Sequence, residues 1–306
     1  MTPIRVALAG LIMVASQPAL ALNIVFDYTY DGGFFTGHAD RIALLDAAAQ
    51  VFDTRLQDQL TAIASGGGNH FNAQFIDPTA GASVTVNDFS VVANQLTVFV
   101  GARNLGAGTL GEGGPGGYGI SATSQAFIDN AVSRGQAGAL AGTPTDFGPW
   151  GGALTFSNSA NWYFDTNVGT TESFAGYDFY SVAVHELGHL LGFGTAPSFS
   201  NKVAGSNFTG AASQSLYGGP VPMADSGHWA GSVTGTVNGT SQEVAMSPSI
   251  TNGQRKRFTE LDFAALKDLG WQVSPVPEAD TWAMMLVGIG LVGYRLRRKQ
   301  GMRQYA

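Results

Sequence analysis

The spacing of hydrophobic residues predicts two helices in the chain. From Arg41 to about Ile63 the apolar positions recur every three or four residues, which places them on one face of a long helix with Asp40 as its expected N-cap. These positions are Leu45, Ala49, Phe52, Leu56, Leu60 and Ile63. A second stretch, residues 181–194, has apolar residues on several sides, and this predicts a largely buried helix.

Segments of high β-propensity lie on both sides of the long helix. Residues 22–28 predict a first strand, residues 83–89 and 96–101 predict strands after the helix, and residues 152–156 predict a further short strand. The order strand, long helix, strand predicts a mixed sheet with helices packed on it, and therefore an α+β fold.

Residues 101–119 contain nine glycines in 19 positions. A phosphate-binding loop requires either a Gly-Lys-Ser/Thr sequence or a GxGxxG that opens a helix, and this segment has neither. We therefore predict a flexible surface loop in this part of the chain.

The first 21 residues are typical of a targeting segment. They contain a single cation, Arg5, then an apolar run, and end in Ala19-Leu20-Ala21. A short basic start, an apolar run and an A-x-A site predict a secretory signal peptide over residues 1–21.

Residues 273–306 form a second candidate targeting segment. They contain Pro277-Glu278-Ala279, an apolar run at 281–294 and a basic cluster at 295–299. This pattern resembles the PEP-CTERM sorting signal of Gram-negative bacteria, with Ala279 in place of the last Pro of the Pro-Glu-Pro box. The resemblance implies a transient membrane anchor, an exosortase-type sorting machinery as partner, and a final location in the cell envelope or outside the cell.

The net charge of −7 for the whole chain combines two different parts. Six of the 15 cations but only one of the 22 acidic residues lie outside residues 22–278, so this body has nine cations, 21 acidic residues and a net charge of −12. So acidic a surface makes nucleic acid an unsuitable partner.

The chain has no cysteine, so it is not a cysteine protease, has no disulfide and holds no metal through thiolates. A metal has to be bound by histidines and carboxylates. His185, Glu186 and His189 form an H-E-x-x-H sequence in the second helix. Residues i and i+4 lie on one helical face, so the two imidazoles can bind one zinc ion, while Glu186 lies beside the metal where a general base belongs.

A catalytic zinc needs a third protein ligand. Gly192, three residues after His189, can adopt the left-handed conformation that ends a helix and turns the chain away. His228 is the one histidine further along the chain, and Asp225, Glu243 and Glu260 are the carboxylate alternatives. His38 and His70 lie far upstream in segments that read as loops, where we expect solvated or capping residues.

The sequence H-E-x-x-H-x-x-G resembles the signature of the metzincin metalloproteases. Most metzincins have the third histidine three residues after the glycine, where this chain has Thr195. The leishmanolysin-like branch has an insertion there, and this resemblance implies His228 as third ligand, a Met-turn at Met246 and a closing helix at 258–271. It also implies a domain over residues 22–272, with an upper subdomain at 22–194 and a smaller, loop-rich lower subdomain at 195–272.

These features lead to one favoured function and one alternative. The favoured function is a secreted or surface-associated zinc endopeptidase that hydrolyses protein or peptide substrates with a zinc-activated water and Glu186 as base. The alternative is a non-catalytic surface or matrix protein with a zinc-stabilised metzincin fold, which the Thr195 substitution keeps open.

Overall fold

A computed structural model describes residues 22–170 and 172–275 of the protein. The predicted signal peptide and the predicted membrane anchor at 281–294 lie outside these residues. The described helices are α1 (Ala39–Asp53), α2 (Gln125–Ser133), α3 (Phe179–Leu190), α4 (Pro197–Ser200), α5 (Ala211–Tyr217) and α6 (Glu260–Asp268), with a 3-10 helix at Ala137–Leu140. None of these described helices combines the length and the apolar character that a membrane crossing requires.

The central sheet is mixed and has four strands. Its strands are β1 (Asn23–Asp27), β4 (Gln95–Arg103), β5 (Gly111–Pro115) and β7 (Gly151–Ser157), in the spatial order β1-β4-β7-β5. β1 and β7 run parallel to β4, whereas β5 runs antiparallel to β7 with Gly113 opposite Leu154. The predicted combination of helices with a mixed sheet is therefore confirmed, and β5 forms one edge of that sheet.

The described residues also form four smaller sheets. Among the described residues, they contain the following strands: β2 (His70–Ile76), β3 (Ser83–Val86), β6 (Gly117–Ser121), β8 (Trp162–Tyr163), β9 (Tyr177–Asp178), β10 (Val203–Ala204), β11 (Asn207–Phe208), β12 (Val221–Pro222), β13 (Thr234–Val237) and β14 (Thr240–Glu243). The sheet β3-β2-β6 continues from the central sheet, because Gly116 alone separates β5 from β6.

Helix α1 is shorter than predicted. It ends at Asp53, and the apolar residues Leu56, Leu60 and Ile63 are buried in an irregular segment instead of on a helical face. The prediction of Asp40 as N-cap was also wrong, because the N-cap position belongs to His38 and Asp40 lies in the first turn. The regular spacing of these apolar residues thus reflects burial of an irregular segment and not a continuous helix.

The glycine-rich segment is not a loop throughout. Residues 111–115 form the edge strand β5 and residues 117–121 form β6, so the prediction of a flexible loop over 101–119 was wrong. Glycine has low β-propensity, but strand β5 lies directly against helix α3, and the close approach described below explains its composition.

The larger of the two described hydrophobic clusters lies between the central sheet and helices α1, α3 and α6. All residues of α3 except His185 are buried, as its apolar pattern predicted. Phe179 at the start of α3 packs against Phe156 of β7, with ring centroids 4.6 Å apart, and Phe52 of α1 packs edge-on against Phe258, at 4.8 Å. The candidate site therefore sits on a helix held on several sides. The boundary between two subdomains at residue 194 stays a prediction.

Candidate metal centre

Helix α3 begins at a buried carboxylate. Asp178 is its N-cap and accepts hydrogen bonds from the backbone N–H and the hydroxyl of Ser181, at 3.2 and 2.5 Å. The guanidinium of Arg255 forms an ion pair with the same carboxylate, with 2.9 Å between Nη2 and Oδ1. These contacts fix the start of the helix that carries His185 and His189.

Helix α3 ends immediately after its second histidine. Gly192 has φ = +105°, and its N–H donates to the carbonyl of His189 at 3.0 Å. A Cβ on Gly192 would lie 2.8 Å from the ring of Phe147, so only glycine fits at this position of the backbone. The hydroxyl of Thr195 also donates to the His189 carbonyl, at 2.7 Å, and so closes the last turn of the helix.

The chain returns to this helix end through the segment from Ala224 to Trp229. The N–H of Ala224 donates to the carbonyl of His228 at 3.0 Å, and the N–H of Trp229 donates to the carbonyl of Met246 at 2.9 Å. The indole of Trp229 donates to buried Asp262 at 3.0 Å. His228 is therefore carried by a loop that is tied to the Met246 segment.

The structure brings His185, His189 and His228 together. Nε2 of His189 lies 3.0 Å from Nε2 of His185 and 3.2 Å from Nε2 of His228. Three zinc-binding nitrogens in tetrahedral geometry, with Zn–N of about 2.0–2.1 Å, are about 3.3 Å apart. The three described imidazoles therefore have the spacing of a metal site.

The hydrogen bonds on the other ring nitrogens give a chemical test of this fit. Nδ1 of His185 faces the carbonyl of Ala245, and Nδ1 of His189 faces the carbonyl of Phe193, both at 2.8 Å. Nδ1 of His228 faces the carboxylate of Asp225 at 2.9 Å. Carbonyls and carboxylates only accept, so each Nδ1 carries a hydrogen, and in the neutral imidazole Nε2 is then the nitrogen that has the lone pair. Three lone pairs that point at one another repel, and a cation bound between them would remove this repulsion.

The electrostatic surroundings favour neutral imidazoles. Burial lowers the pKa of His185 to about 3 and that of His189 to about 4, and the charge of a neighbouring histidine adds to the effect in each case. Both side chains are consequently in the metal-binding form at neutral pH.

Glu186 lies beside the three histidines in an apolar environment. It is only 5% exposed, and burial raises its pKa to about 8, with Glu112 of β5 as a second cause. A Cβ on Gly111 would lie 2.6 Å from Oε1 of Glu186, and a Cβ on Gly113 would lie 2.7 Å from its Cβ. The glycines of β5 therefore allow this strand to lie against the acidic residue of α3.

A cleft of about 720 Å³ opens along this strand. Residues 106–113 and 247–250 line it, together with the three histidines and Glu186. The three histidines and Glu186 therefore face a cleft that a ligand can occupy.

Met246 lies under helix α3 and is fully buried. Its sulfur contacts the backbone at Gly188, so closely that a Cβ there would overlap with it. The carboxylate of Asp262 accepts hydrogen bonds from the N–H groups of Ala245 and Met246, at 3.0 and 3.3 Å. Asp262 therefore ties helix α6 to the turn at Met246, a link that sequence spacing did not indicate.

The carboxylate alternatives for the third ligand have other contacts. Glu243 forms an ion pair with Lys256 and Glu260 one with Arg55, whereas Asp225 faces Nδ1 of His228. The two upstream histidines lie elsewhere: His38 is exposed at the start of α1 and makes no capping hydrogen bond, and His70 is half exposed beside Asp88. None of these side chains is in the described cluster of three histidines.

Comparison with known families gives two matches, whereas neither the curated proteins nor the solved structures include a significant one. The model of the PEP-CTERM protein-sorting motif matches residues 275–299, which implies export to the cell envelope, typically in Gram-negative bacteria. The model of the matrixins, a metzincin family, matches residues 120–200. This region includes His185 and His189 but stops before His228, and it does not test the leishmanolysin-like arrangement. The chain is thus similar to the matrixins from the end of β6 to α4, and this similarity suggests a zinc metalloprotease.

Proposed function

We propose that this protein is a secreted or surface-associated zinc endopeptidase, with Glu186 as its general base and His185, His189 and His228 as its zinc ligands. The observation that carries the proposal is the convergence of three imidazole lone pairs beside a buried carboxyl group at the wall of an open cleft. The similarity to the matrixins supports the same function.

The three histidines are suited to zinc. They supply a neutral set of nitrogen ligands, and their number leaves one position for a water molecule or a substrate. Bound zinc supplies a Lewis acid, which polarises the scissile carbonyl and acidifies the attacking water.

Glu186 handles the proton in this proposal. Its carboxylate takes a proton from the attacking water and returns it to the nitrogen of the leaving amine. Burial alone favours the protonated form of Glu186, and a divalent cation beside the helix favours the ionised form that can act as base.

The edge strand β5 positions the substrate. An extended peptide can add to an exposed sheet edge through main-chain hydrogen bonds, and residues 111–113 of β5 line the cleft next to Glu186. Because residues 111 and 113 of this strand are glycines, no side chains at these two positions narrow the cleft. This arrangement favours a protein or peptide substrate in extended form.

The variant Glu186→Gln tests this proposal. It keeps the size of the side chain but removes the base, so we expect one zinc per chain and a loss of casein hydrolysis of at least about a hundredfold. Unchanged hydrolysis by this variant would contradict the role of Glu186. Stoichiometric zinc without hydrolysis in the wild-type protein would instead favour the non-catalytic alternative.

A further inference from the structure

The third histidine is held differently from the other two. Nδ1 of His185 and Nδ1 of His189 donate to main-chain carbonyls, whereas Nδ1 of His228 faces both carboxylate oxygens of Asp225, each at 2.9 Å. The His228 side chain is also 25% exposed. Asp225 is thus the one side chain that fixes a histidine of this cluster within the described residues.

The carboxylate of Asp225 is itself held in place by the local turn. Its Oδ1 accepts a hydrogen bond from the N–H of Gly227 at 2.8 Å, and the carbonyl of His228 accepts one from Ala224 at 3.0 Å. The loop therefore closes on itself and presents an acceptor at the Nδ1 side of the imidazole.

An acceptor in this position has two effects on the imidazole. It keeps the hydrogen on Nδ1, so that Nε2 of His228 stays a lone-pair donor, and it restrains rotation of a ring that is partly open to solvent. Without it, water can take its place, and the ring of His228 is free to turn away from His185 and His189.

We propose that Asp225 is a positioning residue that sets how tightly the site holds zinc, by orienting His228 and fixing its tautomer. This inference rests on the proposed zinc site and adds a determinant of its affinity. Asp225 acts through His228, and it is not among the residues that line the cleft.

Zinc affinity, measured on the full chain by competition with a chromophoric chelator, tests this role. We expect Asp225→Ala to bind zinc about 10–100-fold more weakly and to release it faster. Asp225→Asn should lose less affinity, because its amide oxygen can still accept from Nδ1. Equal losses in the two variants would contradict a role in orientation.

Asp77→Ala is the matched control. Asp77 accepts hydrogen bonds from the N–H groups of Thr79 and Ala80, at 2.7 and 2.8 Å, so it forms a comparable exposed turn away from the histidines. The control should bind zinc like the wild type. Zinc binding by Asp225→Ala that equals the control would overturn the inference.

The spectrum of the cobalt-loaded protein gives a second readout. Asp225→Ala should shift the visible absorption bands of bound Co²⁺, since the third imidazole changes its orientation, and Asp77→Ala should not. An unshifted spectrum would count against the inference. Failure of the proposed zinc site itself is distinguishable, because His228→Ala would then bind zinc as tightly as the wild type.

Discussion

Gly194 packs directly on Gly227, so that a Cβ on Gly194 would lie 2.5 Å from the Cα of Gly227. The contact joins the segment that leaves helix α3 to the loop that carries His228. Gly194 and Gly227 lie 33 positions apart in the chain. Their close contact allows His228 to come within reach of the other two histidines.

Gly194→Ala should weaken zinc binding by about tenfold or more, because the added methyl group pushes the loop of His228 away. Gly205→Ala is a control for backbone strain: Gly205 has φ = +61°, similar to the +74° of Gly194, but a Cβ there meets nothing within 4 Å. Both variants should lose roughly 1 kcal/mol or more in free energy of unfolding. Only Gly194→Ala should lose zinc affinity in the chelator competition, and equal affinity in both would contradict this reading of the contact.

The contact between strand β5 and Glu186 can be tested in the same strand. Gly113→Ala should reduce peptide hydrolysis strongly and lower the unfolding free energy, because its Cβ would lie 2.7 Å from both Glu186 and Leu154. The neighbouring Gly114 has open space, so Gly114→Ala should keep its activity and change stability by less than about 1 kcal/mol. Similar activity of the two variants would show that the close approach has no role in the reaction.

These glycines explain why part of the fold could not be predicted from the sequence. The composition of residues 101–119 indicated a loop, because local propensity contains no information about a helix that packs against the strand from a distant part of the chain. The overlong prediction for α1 has a related cause. Leu56 pairs with Val273 and Ile63 pairs with Val91 through short antiparallel backbone contacts. The spacing of apolar residues contains no information about such distant partners.

Thr195 takes the position of the third metzincin histidine and should have no role as a zinc ligand. Its hydroxyl donates to the carbonyl of His189, so Thr195→Val should cost about 1 kcal/mol of stability and keep the zinc affinity of the wild type. Thermal unfolding and chelator competition measure the two effects. Loss of zinc in this variant would show that Thr195 contributes to metal binding.

A buried carboxyl group should make stability depend on pH. Burial raises the pKa of Asp58 to about 6, although the N–H of Gln272 donates to this carboxylate at 2.9 Å. The folded protein therefore holds this proton more tightly than the unfolded chain, and the resulting stabilisation is complete below about pH 4 and is lost as the pH rises through about 6.

Asp58→Asn removes this titration. Its free energy of unfolding should equal that of the wild type near pH 4 and exceed it by up to about 3 kcal/mol near pH 7, as measured by denaturant unfolding across this range. A difference between the two proteins that stays constant with pH would refute the assignment.

The candidate site was more predictable than the fold around it. The i, i+4 spacing of His185 and His189 is a local property of a helix, and few histidines were available for a third ligand. The positions of the acidic residues in the sequence do not distinguish a carboxylate that binds a metal from one that orients a histidine. Asp225 was therefore one of several alternatives until its contact with Nδ1 of His228 was known.

X-ray absorption spectroscopy of the zinc-loaded protein tests the central claim most directly. We predict three imidazole ligands at about 2.0–2.1 Å in the wild type and in His70→Ala, where an exposed histidine is removed, but two in His228→Ala. A wild-type spectrum with only two imidazoles, or an unchanged spectrum in His228→Ala, would contradict a zinc site built from His185, His189 and His228.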